Sequence, residues 1–137
     1  YNAFTDCFSK GFRSAVLIGS DSPDIPQEII EEAFQSLNEH GAVLGPTWDG
    51  GYYLIGFSRD FLSRRFFENM LWSTSNVFEE TMRRFQVDGI PVHVLPAWRD
   101  IDRADDIYSL LKESECSDFG NSRTIKFLKE NGFKAAS

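Results

Sequence analysis

Cysteine and histidine are scarce, with two of each in 137 residues. Cys7 and Cys116 stand far apart, with no second Cys or His at metal-ligand spacing, so a thiolate zinc site is excluded. His40 and His93 are likewise isolated in sequence. His40 precedes Gly41 where a helix should end, a place that suits a cation on the helix dipole, and neither histidine is counted as catalytic. Basic residues are also few: 14 Lys and Arg against 21 Asp and Glu leave a net charge of −7. No basic stripe is available to replace the counterions of a phosphate backbone, so nucleic acid is not an expected partner. No apolar run reaches the length of a membrane span and no signal peptide is visible, which predicts a soluble, cytoplasmic protein. The G-x-G-x-x-G, G-x-x-x-x-G-K-[ST] and G-x-S-x-G patterns are all missing, which leaves a Rossmann dehydrogenase, a P-loop enzyme or a serine hydrolase without support.

What is present is a folded chain. It is 42% hydrophobic and 15% aromatic, with Phe 13, and its length suits one domain able to bury a core. The chain opens directly in an apolar pattern at helical spacing (Tyr1, Phe4, Phe8) with no capping residue before it, which reads as the continuation of something longer. A preceding segment is then expected to supply part of the fold and part of the site.

After that helix, residues 15–19 form a short apolar run that fits a strand buried on both faces of a parallel sheet. Residues 27–40 follow as an amphipathic helix, with Pro26 at its first position, Ile29, Ile30, Ala33, Phe34 and Leu37 on one face, and Gly41 as its stop. Residues 42–45 and 51–57 read as strands, 59–71 and 73–85 as helices, and 90–96 as a further strand. Two amphipathic helices, at 103–115 and 121–133, close the chain, the second capped by Asn121 and stopped by Gly132. Alternating strands and helices without repeats or low-complexity linkers predict an α/β domain.

In open α/β sheets, ligands bind beyond the carboxyl ends of the strands. Three acidic loops are expected to converge there: "GSDSPD" after the first strand, "DGGYY" before the third, and "WRDIDRADD" after the last. Carboxylates brought together suit Mg²⁺ or Mn²⁺, hard cations that also bridge to phosphates. Asp21 lies nearest the strand end, whereas Asp24, two residues before Pro26, reads as a helix cap. Alternation along "DID" puts Asp100 and Asp102 on one side, although Asp102 equally suits the cap of the following helix. Gly50 and Gly51 let backbone approach a ligand closely or form a tight hairpin, and the aromatics Trp48, Tyr52 and Tyr53 either stack a sugar or base or belong to the core. Trp72, Ser73 and Thr74 read either as polar substrate contacts or as a helix start.

The ordered segments "VLIGSDSPDIP", "GAVLGPTWDGGYYLIGFS", "LWSTSNVFEETMRRF" and "LPAWRDIDRADDI" resemble an uncharacterised bacterial family of GT-A-type glycosyltransferases. That family is akin to the nucleotide-diphospho-sugar transferases and to 2-phospho-lactate guanylyltransferase. The resemblance covers residues 12–111 and implies a GT-A-like three-layer α/β/α domain over residues 1–137, with a mixed, mainly parallel sheet lacking its N-terminal part. It implies a metal site at Asp21 and Asp102, with Arg103 and Ala104 departing from the Thr-Pro of related enzymes. It also implies a sugar or acceptor pocket at Asp49, Gly50, Gly51 and Tyr52, with Trp72, Ser73 and Thr74 as further substrate contacts. Asp49 and Asp21 are the expected catalytic residues, Asp49 positioning or deprotonating the acceptor. The implied activity is Mg²⁺- or Mn²⁺-dependent glycosyl transfer from a nucleotide-diphospho-sugar to a small-molecule acceptor. The alternatives are nucleotidyl transfer from an NTP and a non-catalytic nucleotide-sugar-binding remnant. Homo-oligomerisation is compatible with any of the three.

Overall fold

The structure, a computed structural model, describes residues 1–134. Its chain packs as two compact units: Tyr1–Gly19 with Ile25–Arg99, and Ser20–Asp24 with the chain from Asp100 onward.

In the first unit, the apolar runs become four strands: β1 (Ser14–Ile18), β2 (Ala42–Pro46), β3 (Tyr52–Ser58) and β4 (Val92–Val94). They form one sheet in the order β1-β3-β2-β4. Only residues 47–51 separate β2 from β3, too few for a crossover, so the two pair antiparallel. β3 is antiparallel to β1 as well, and among the described strands the sole parallel pair is β2 with β4, which the chain joins by way of β3 and helix α3 (Val77–Val87). The sheet is mixed, as expected. Among the described strands, however, it is mainly antiparallel, because the short 47–51 link dominates the pairing.

Side-chain alternation along the central strands supplies two faces. Ala42 and Leu44 join Ile55 and Phe57 in one core with Phe4 of helix α1 (Asn2–Ser9), Phe66, and Phe85 of α3. There the Phe57 and Phe66 rings stack at 5.8 Å, and the Phe85 edge meets Phe66 at 4.9 Å. Val43 and Leu54 face the other way, onto Ile29, Ala33 and Leu37, and Tyr53 joins them where the β2–β3 register shifts between Gly45 and Pro46 and breaks the alternation. Two of these, Ile29 and Ala33, belong to helix α2 (Gln27–Ser36). Helices on both faces of one sheet give the expected three layers. β1 is not buried on both faces: Leu17 and Ile18 stand 40% and 43% exposed, and among the described strands β1 pairs with β3 alone. Phe34, expected on the buried face of α2, is also exposed. The N-cap of α2 is Pro26, and the helix ends at Ser36 rather than at Gly41.

Residues 59–71 were expected to be helical. They form instead two single 3₁₀ turns, Arg59–Phe61 and Arg64–Phe66, and Asn69 has a positive φ of 53°. The carbonyls that a helix would satisfy internally find another donor. The Arg84 guanidinium donates to the main-chain oxygens of Arg65 (3.0 Å), Glu68 (2.6 Å) and Asn69 (3.4 Å), and its Nε donates to Glu80 Oε1 at 2.8 Å. One planar guanidinium fork thus holds a segment that makes little regular structure of its own.

The second unit is built on helices α4 (Ala104–Ser114) and α5 (Arg123–Glu130). Leu110, Leu111, Ile125 and Leu128 form its core, edged by Ile101, Ile107, Phe119 and Phe133. Ser122, not Asn121, caps α5, its Oγ accepting from the Ile125 N–H, and Gly132 follows the helix at φ 87° as the predicted stop. At the start of α4, the Asp106 carboxylate accepts from the backbone N–H of Asp102 at 3.0 Å and of Arg103 at 2.7 Å. Asp106→Ala orphans both donors and should cost about 1–2 kcal/mol, read as a lower urea midpoint at unchanged m-value.

Candidate functional site

β1 delivers the chain to Gly19, whose N–H donates to the Tyr53 carbonyl at 2.8 Å. Residues 20–24 then pack within the second unit beside residues 100–102, where the Ile101 N–H donates to the Asp21 carbonyl at 2.8 Å. With Ile101 directed to the apolar core, its two neighbours are left to the other side, as the alternation of an extended segment demands. Asp21, Asp100 and Asp102 each offer a carboxylate oxygen, and the three oxygens lie within 4.8 Å of one another. Asp21 and Asp102 are exposed and Asp100 is half-buried.

The competing role for Asp102, capping α4, falls to Asp106. The Asp102 carboxylate therefore stays with the cluster. The predicted pair, Asp21 and Asp102, is brought together, and Asp100 is the member that the expected metal set omitted. The signal for it was available in the i, i+2 spacing of "DID". Three carboxylates this close repel one another unless a cation offsets them, and an all-oxygen donor set suits Mg²⁺ or Mn²⁺ rather than a thiophilic metal.

The remaining predicted residues belong to the first unit and form a group of their own. Asp49 Oδ1 accepts from Thr47 Oγ1 at 2.5 Å and from the Gly51 N–H at 3.1 Å. The Thr47 hydroxyl, and then the Gly51 amide, hold the Asp49 carboxyl below its ordinary range. A carboxylate stabilised in this way is a weaker base. Asp49 shapes its own loop.

Gly50 has φ 94°, and its carbonyl accepts from the N–H of Phe78, in the first turn of α3, at 2.9 Å. A Cβ on Gly50 would run into the Ser75 carbonyl, and one on Gly51 would lie 3.0 Å from Thr47 Oγ1. The glycines thus let the 47–51 loop press against residues 75–78. Tyr52 and Trp72 meet edge to face at 6.5 Å, and burial pushes the Tyr52 hydroxyl up to about 12, so it stays a proton donor at neutral pH. Trp72 is half exposed, and Thr74 Oγ1 donates to the Leu71 carbonyl at 2.8 Å. Ser73 holds a positive φ of 62°, and α3 begins only at Val77, so Trp72, Ser73 and Thr74 form an irregular turn rather than a helix start. Trp48, at 75% exposure, is no part of the core.

A bacterial family described as "Uncharacterized protein conserved in bacteria (DUF2064)" matches residues 1–74, just over half of the chain. The chain belongs to this family. The matched residues carry Asp21, the Asp49–Tyr52 loop and the Trp72–Thr74 turn, whereas Asp100 and Asp102 lie beyond them. A solved crystal structure from Desulfovibrio desulfuricans G20, described as a "putative nucleotide-diphospho-sugar transferase", aligns with a TM-score of 0.88 at 35% identity. The alignment covers 95% of this chain and 56% of that one, so this chain spans little more than half the length of its structural neighbour. No curated protein matches. The likeness shows the nucleotide-diphospho-sugar transferase type of α/β fold. No helix among the described residues is long and apolar enough to cross a membrane.

Proposed function

We propose that this chain carries the metal-holding part of a transferase that moves a glycosyl group from a nucleotide-diphospho-sugar to a small-molecule acceptor. The observation that carries this reading is the cluster of Asp21, Asp100 and Asp102, three carboxylate oxygens within 4.8 Å on a fold of this type. Asp21 and Asp102 would hold Mg²⁺ or Mn²⁺, with Asp100 as the third oxygen donor. The bound cation would offset charge developing on the leaving diphosphate, so that it departs without a protein proton donor. The Ile101–Asp21 backbone hydrogen bond fixes the two acidic segments in register, so the donors need little rearrangement on binding. In the first unit, the Tyr52–Trp72 pair and the Ser73 and Thr74 hydroxyls offer the apolar face and polar rim that a sugar or small acceptor requires.

A thermal-shift panel of sugar nucleotides and nucleoside triphosphates, with Mn²⁺, Mg²⁺ or EDTA, tests this. A sugar nucleotide present at 100 times its Kd should stabilise the protein by about 2.7 kcal/mol, and only with the cation. Stabilisation by a nucleoside triphosphate alone would replace glycosyl with nucleotidyl transfer. A response that persists in EDTA would remove the metal from the reading and leave a binding module.

A further inference from the structure

Glu32 on α2, His40 after it and His93 on β4 meet in the first unit, a site unrelated to the acidic cluster and unused by the proposed reaction. β4 pairs with β2 so that His93 lies beside Val43, which faces α2. The His93 Nε2 approaches Glu32 Oε1 to 2.7 Å, and the His40 Nδ1 approaches the Ser36 carbonyl to 3.0 Å. The two imidazole centroids are 5.5 Å apart with planes inclined at 55°.

These contacts fix the tautomer of each ring in its neutral form. A carbonyl only accepts, so the neutral His40 ring donates from Nδ1 and has its lone pair on Nε2. A carboxylate oxygen likewise accepts, so the neutral His93 ring donates from Nε2 and has its lone pair on Nδ1. Donation from one ring nitrogen to a carboxylate or a carbonyl, leaving the other nitrogen free, is the dressing that metal-ligating histidines carry. The separation fits as well. With metal–nitrogen bonds of about 2.0–2.1 Å, two imidazoles on one ion place their centroids about 5.2 Å apart at a tetrahedral angle and about 5.5 Å apart at 120°.

We infer that His40 and His93 form a two-histidine site for a divalent transition-metal ion such as Zn²⁺, Ni²⁺ or Cu²⁺, ligated through His40 Nε2 and His93 Nδ1. Glu32 and the Ser36 carbonyl orient the rings and raise their donor strength. Water or an external ligand completes the coordination. Nitrogen donors separate this site from the oxygen-only cluster: it prefers Zn²⁺, Ni²⁺ and Cu²⁺, whereas Mg²⁺ does not compete.

The test is calorimetric titration of the tag-free protein with Zn²⁺ and Ni²⁺, each in excess Mg²⁺ to occupy the acidic cluster. One ion should bind per chain. His40→Ala or His93→Ala should weaken it at least tenfold, and Glu32→Ala by about tenfold, as loss of an orienting partner does elsewhere. His93→Gln, which keeps a polar group on β4, guards against loss of the fold, with circular dichroism as the check. In Asp21→Asn the Zn²⁺ and Ni²⁺ isotherms should be unchanged. Absence of binding, or binding equally strong in folded His40→Ala and His93→Gln, would overturn the assignment.

Discussion

Asp102→Asn should abolish the cation-dependent response while leaving the metal-free protein as stable as before, or more so. The side chain caps nothing: Asp106 serves the start of α4, so no helix contact is lost. The substitution removes one of three negative charges whose oxygens lie within 4.8 Å, and relief of that repulsion acts in favour of the folded state when no cation is present. With Mn²⁺ the sign reverses. Removing an outer partner of a metal ligand already costs 10–100-fold in affinity, so losing a ligating carboxylate should cost at least about 100-fold. On the proposed function, transferase turnover should fall with it. Asp21→Asn should behave alike, and Asp100→Asn should show whether the half-buried third carboxylate is a true donor. Titration with Mn²⁺ followed by melting, with and without the cation, reads both halves. A large fall in the metal-free melting temperature, with the cation response retained, would make the cluster architectural.

The second large effect is expected at Gly50. Its φ of 94° disfavours any L side chain, and an added Cβ would meet the Ser75 carbonyl, which is backbone and cannot swing aside. Gly50→Ala should cost about 3 kcal/mol or more, since strain and overlap add. For a chain of this size, that is a drop in melting temperature of roughly 10 °C. Gly89→Ala is the matched control: φ is 67°, but nothing lies within 4 Å of the added atom, so strain alone remains and about 1 kcal/mol is expected. Equal losses in the two variants would show that the 47–51 loop does not depend on its close approach to residues 75–78.

Elements whose apolar spacing decides their packing were legible in the sequence. Val77, Thr81 and Phe85 repeat every four residues and are all buried in α3. Ala42, Val43 and Leu44 form a short apolar run, and they sit fully buried in β2. Periodicity failed where a long-range donor replaced local bonds, as at residues 65, 68 and 69, whose carbonyls accept from Arg84. It failed again at β1, because an apolar run does not state whether a strand has one neighbour or two. The approach of Asp21 to Asp102 was readable from motif position, whereas the helix-capping role of Asp106 was not. Several acids at the start of α4 compete for two N–H groups, and only the fold decides which of them reaches. His93 is far from Glu32 and His40 in the chain, and no spacing rule joins it to them.

The Arg84 fork also bears on how this segment tolerates change over generations. It grips main-chain oxygens of residues 65, 68 and 69, which every amino acid carries, and asks nothing of the side chains there. The fork therefore leaves the side chains at positions 65 and 68 unconstrained, whereas Asn69, at φ 53°, keeps a left-handed conformation that few other residues favour. The constraint is displaced onto one distant codon, where even lysine, a compact charge without a planar fork, is a poor replacement.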